Sequence, residues 1–332
     1  MGENMKRINL TTSKAVSYIF HLLAVGRINY DNCYAKEYQY TIKNADLLYL
    51  KEHKHLLTFA NGNMGLLVSL FIFYPSYMDF KTHDDLKNYY LCLKKAIEIN
   101  NVEFFYNNYE TYFLELNKWL GPNLYQNVQS EMNQINLYAK EESLKLTSIF
   151  IQNYNEFETI WDLEQKKIVA KIDLISEKIK KLDLITRWEN LTQLEFKSNQ
   201  YDIILCSSIE NGPQANSLGY DKNVFYYNSD PEWMIHFISH EVGTHILIDV
   251  FASLFNSNEN KNHINNEPTI LYSAYESLAK FYNKQIFRDD YDYSIYDQDK
   301  RFQLIYHDLF QINPMISPKE MIVKALTIYN NR

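Results

Sequence analysis

Pro231-Glu232-Trp233-Met234-Ile235-His236-Phe237-Ile238-Ser239-His240-Glu241-Val242-Gly243-Thr244-His245 is the stretch on which the reading of this chain turns. Asp230 as a cap and Pro231 at a first helical position start a helix, predicted to run from Glu232 to about Phe255. Downstream, the polar stretch Asn256 to Asn266 breaks the pattern. Glu267-Pro268 then opens a helix to about Gln285, followed by a short helical tail. Upstream lie two β-type runs, Tyr201 to Cys206 and Val224 to Tyr227, with Asn211-Gly212-Pro213 and Gly219 to Asn223 supplying turn chemistry between them.

Before about Asn190 the sequence reads as helical. Leu86, Tyr90, Leu93 and Ile97 recur at helical spacing behind a Thr82 and Asp84 start signal. Ile168, Ile172, Ile175, Ile179 and Leu182 form a second stripe, with lysines on the other positions. Its expected role is packing on its own domain rather than docking a partner. The reading is an α+β fold, predominantly helical: a helical region over 1–190, then a domain with a small sheet over 191–332.

The bulk properties exclude some functions. Formal net charge is −8, whereas a nucleic-acid binder needs a basic surplus to neutralise phosphates. Cys33, Cys92 and Cys206 are odd in number and widely spaced, which points to a reducing, cytoplasmic setting. The apolar run Ala15 to Val25 follows three basic residues, but Ser17, Tyr18 and His21 dilute it. It is expected to be a core helix, not a secretory signal. Met64 to Phe73 is too short to span a bilayer, so no membrane association is expected.

Within the quoted stretch, His240-Glu241-Val242-Gly243-Thr244-His245 has the form HExxxH. Zinc takes imidazole and carboxylate donors at about 2.0–2.2 Å, leaving one position open for water. Residues five apart on a regular helix diverge by about 140°, so both histidines reach one ion only if the helix carries a π-bulge. Gly243 lies where such a distortion would be cheap. His236 and His240, four apart, share a face without distortion and form a rival pair; spacing alone leaves both pairings open.

The hexapeptide resembles the HE-x-G-T-H signature of the QEGLA-motif zinc peptidases, the family that includes the microtubule-associated tyrosine carboxypeptidases. In that family a second helix about thirty residues on carries a glutamate that completes the zinc site. Here Tyr275-Glu276-Ser277-Leu278-Ala279 stands in the matching place, departing from the family pattern at Tyr275 and Ser277. The resemblance covers residues 200 to 285. It implies a zincin-like catalytic domain, Zn2+ as cofactor, His240, His245 and Glu276 as ligands, and a peptide or protein substrate. It also implies Glu241 as the carboxylate that takes a proton from the metal-activated water and passes it to the leaving amine.

Family analogy favours removal of a C-terminal aromatic residue. Members carry arginines ahead of the helix; residues 223–239 here contain none, and Lys222 is the nearest cation. Endopeptidase maturation of a small precursor therefore stands as an alternative, as does a non-catalytic binding or regulatory protein on a peptidase scaffold. Tyr275, Tyr272, His307 and Arg301 are candidate transition-state or substrate contacts. Asp249, four residues after His245, is a candidate partner for its free N–H, and the Val224 to Tyr227 strand a candidate edge for an extended peptide.

Overall fold

The computed structural model describes residues 6–60, 64–120, 123–210, 215–256, 268–289, 291 and 300–330. The Asn211-Gly212-Pro213 turn and the polar stretch beyond Asn256 lie outside the described residues, as does Glu267. The elements are β1 (Arg7–Thr11), α1 (Lys14–Val25), α2 (Tyr34–Tyr38), α3 (Asn44–Glu52), a π-helical turn Ser69–Phe73 running into α4 (Tyr74–Met78), α5 (His83–Ile99), α6 (Val102–Asn108) and α7 (Glu110–Leu120). There follow α8 (Leu124–Tyr138), α9 (Lys140–Gln152), α10 (Tyr154–Leu182), α11 (Leu184–Thr192), β2 (Gln200–Cys206), β3 (Ala215–Gly219) and β4 (Lys222–Tyr226). The chain closes with α12 (Pro231–Asn256), α13 (Pro268–Phe287), α14 (Lys300–Ile312) and α15 (Pro318–Asn330). The fold is mostly helical with one small mixed sheet, as the sequence pattern predicts.

The chain divides into two compact units that interleave in sequence. One comprises Met1–Asn9, Ile175–Tyr201 and Asp230–Arg332; the other comprises Leu10–Leu174 and Asp202–Ser229. The division is thus not a single break near residue 190. Strand residues after Tyr201 belong with the N-terminal helices because Ile204, Cys206, Leu218 and Val224 enter the same apolar core as Tyr18, Phe71 and Tyr90. Residues 184–192 belong with the C-terminal helices because Trp188 is fully buried there, its indole Nε1 donating to Ser239 Oγ at 3.0 Å.

In the larger unit the local signals hold. Ala15 to Val25 are all buried in α1, which makes it a core helix. Thr82 caps α5 by accepting the Asp85 backbone N–H at 3.1 Å, and Leu86, Tyr90, Leu93 and Ile97 are all buried. Among the described residues no helix is long and apolar enough to cross a membrane.

The sheet order is β1-β2-β4-β3, with β2 parallel to β4 and β3 antiparallel to β4. The expected strands are β2 and β4, the two inner ones; β1 and β3 on the edges are additional. This corrects the role suggested for Val224 to Tyr227. Val224 and Phe225 are paired on both sides, with Ile204 and Leu205 and with Asn216 and Ala215, so their backbone offers no edge to a peptide. Val224 and Phe225 are fully buried.

Candidate metal centre

The centre lies within the smaller unit, where α12 and α13 pack along each other. α11 lies against both, and α15 packs on α12, α13 and α14. Asp230 starts α12 as expected, its Oδ1 accepting the backbone N–H groups of Glu232 and Trp233 at 2.9 Å each. From Met234 to Leu247 the helix is buried almost all round; Phe237 and Glu241 mark its more open side. A helix enclosed in this way can bury several histidines without bringing them to one point.

Two of the expected donors meet. His240 Nε2 lies 3.0 Å from Glu276 Oε2, joining the HExxxH helix to the helix of the second motif. His245 is also buried, its ring edge-on to Tyr201 with centroids 5.2 Å apart. Yet α12 is α-helical throughout, with no π-turn between the histidines. His245 therefore stands one turn beyond Glu241, and His240 projects about 140° away from it. Among the described residues, no group of three His, Cys, Asp or Glu side chains converges closely enough to hold a metal ion. The donor set fits zinc in its chemistry and in one pair. The third donor does not converge with that pair.

Gly243 has a different purpose from the one its position suggested. A Cβ there would overlap the six-membered ring of Trp188, so the glycine admits the indole against α12. A neighbouring contact holds the second motif. The Tyr275 hydroxyl donates to the Thr244 carbonyl at 2.6 Å, bolting α13 to α12 one residue before His245. Burial raises the Tyr275 phenol well above its ordinary pKa, and the Glu276, Tyr272 and Glu241 charges add to this. Both motif carboxylates thus act on one buried phenol.

The other candidates are placed as follows. The Tyr275 hydroxyl is engaged with the Thr244 backbone carbonyl. Tyr272 is exposed, with its ring near those of Phe251 and Tyr275. Arg301 stacks over the Tyr329 ring at 4.0 Å and hydrogen-bonds its hydroxyl. His307 is exposed, 3.7 Å from Asp308. Asp249 pairs with Lys197 on the surface. His236 stacks on Phe287 and Tyr291, with Nε2 3.5 Å from Asp289, and burial lowers its pKa; these contacts account for it without a shared metal. Lys222 donates to the Tyr77 carbonyl at 2.6 Å.

Comparison of the chain with protein-family models, with curated proteins and with solved structures finds no match in any of the three. The motif resemblance and the helix pairing are what bear on function.

Proposed function

We propose that the chain is a zinc-dependent peptidase, with His240, His245 and Glu276 as protein ligands and Glu241 as the proton-transferring carboxylate. The observation that carries this reading is the 3.0 Å approach of His240 and Glu276, one residue from each motif, on neighbouring helices. When bound, zinc would supply a Lewis acid and a water of lowered pKa. The chain's own groups do the rest. Glu241, half-buried on the more open side of α12, would hold a proton and return it to a leaving amine. Tyr275, through Thr244, keeps Glu276 at His240. Drawing in His245 requires a one-residue change of helical register between His240 and His245. The substrate is a peptide or protein; removal of a C-terminal aromatic residue is the form that the resemblance favours.

One observation favours a second reading, a non-catalytic binding protein on the same scaffold: α12 is regular and its third donor stands apart. Zinc content of protein purified under zinc-replete conditions separates the two. Near-equimolar zinc is expected in the native protein and in Glu241→Gln. His240→Ala, His245→Ala and Glu276→Ala are each expected to lose about nine-tenths of it or more. Once a peptide library yields a substrate, Glu241→Gln should slow its hydrolysis by about 10²–10⁴. Metal-free native protein, or zinc retained in both His245→Ala and Glu276→Ala, removes the peptidase reading and leaves the second.

A further inference from the structure

The larger unit holds a cavity of about 490 Å³, within the size range of small-molecule sites. Its walls come from the π-helical turn, α4, α7, α8 and β3. The π-turn is a local unwinding of the kind that clusters at functional sites. Here two backbone carbonyls of that turn, Leu70 and Phe71, accept the buried Tyr89 and Tyr90 hydroxyls at 2.7 and 2.8 Å. The distortion is therefore built in and satisfied.

Glu131 on α8 is one of the residues that line the cavity, and its Oε2 is shielded from solvent with no hydrogen-bond partner among the described residues. No lysine, arginine or histidine is among the described residues that line the cavity. Burial holds the Glu131 carboxyl up at about 7, and only a Ser69 hydrogen bond works against it. A carboxylate left in such a place is costly unless a positive charge joins it. Phe73, Tyr74 and Trp119 line the same space, and aromatic faces attract cations. Leu116, Leu120 and Leu218 complete an apolar wall.

We propose that this cavity binds a small organic amine, its ammonium paired with Glu131 and its apolar body against the aromatic wall. The site is separate from the metal centre and does not depend on the peptidase reading. Calorimetric titration of the full chain with phenethylamine, and with 2-phenylethanol as the neutral isostere, tests it. Phenethylamine should bind saturably and at least about tenfold more tightly than 2-phenylethanol. Glu131→Gln should erase that preference while leaving 2-phenylethanol unchanged, with circular dichroism confirming the fold. Trp119→Leu, which keeps the carboxylate, should weaken the amine by about tenfold and serves as the second variant should Glu131→Gln misfold. Equal affinities for the two probes in the native protein, or an amine preference that survives Glu131→Gln, overturns the proposal.

Discussion

Gly243→Ala is expected to lower stability by about 2–3 kcal/mol, although alanine is the better helix former by about 1 kcal/mol. The added methyl falls within the Trp188 ring. That ring is fully buried, its Nε1 is committed to Ser239 Oγ, and Tyr282 sits edge-on to it with centroids 6.1 Å apart. Moving the indole aside would break that hydrogen bond and disturb its neighbours in the core, so steric cost outweighs the propensity gain. A double-mutant cycle with Trp188→Leu isolates the cause. Trp188→Leu alone should cost about 3 kcal/mol, and the pair should cost at least about 1 kcal/mol less than the sum. Denaturant titration reads all four proteins. Gly243→Ala as stable as the native chain would mean the glycine does not serve close approach.

The second large effect concerns pH. His21 is fully enclosed in α1, with Nδ1 2.8 Å from the Tyr34 hydroxyl and Nε2 2.8 Å from Thr41 Oγ1. The Thr41 hydroxyl donates to the Tyr38 carbonyl, so it accepts from Nε2–H, and Nδ1 accepts from Tyr34. The neutral ring is thus satisfied on both sides. Burial pushes its pKa down to about 3, from an ordinary 6.5. With the folded pKa depressed, the unfolded chain binds the extra proton between these values. Stability from this group is complete above pH 6.5 and falls as pH drops toward 3. The loss amounts to about 2–3 kcal/mol by pH 4.5, at about 1.4 kcal/mol per unit. Glu131 acts with the opposite sign: its raised carboxyl favours the fold below 4.5, and that contribution disappears as pH rises through about 7. Comparing native protein with His21→Gln at pH 7.5 and 4.5 cancels the Glu131 contribution. The variant should be flatter by about 2–3 kcal/mol; parallel slopes would remove His21 as the sensor.

What could be read from sequence was what local chemistry fixes. The Thr82 and Asp230 caps, the buried face of α1 and the start of α12 depend on neighbours a few residues away. Edge strand β3, Ala-Asn-Ser-Leu-Gly, has no alternating apolar pattern, and its pairing with β4 alone makes it a strand. Glu276 was joined to His240 only by what the family resemblance implies, whereas the destination of the Tyr275 hydroxyl depends on how two helices abut, which no local motif encodes. The π-turn expected between His240 and His245 occurs instead at Ser69–Phe73, where the apolar run gave no sign of it. Glu131 did leave a trace: it borders the α8 stripe of Leu124, Val128, Met132 and Ile135.

The interleaving of the two units sets an order on biosynthesis. Everything the larger unit needs has been translated once Ser229 leaves the ribosome. The smaller unit has by then only its first two pieces, Met1–Asn9 and Ile175–Tyr201. Trp188, the largest fully buried side chain among the described residues, is one of those that must wait for α12 before they are covered. Nascent chains halted between 229 and 256 would display that indole to solvent and to chaperones, while those released after α13 would have both motif helices with which to enclose it.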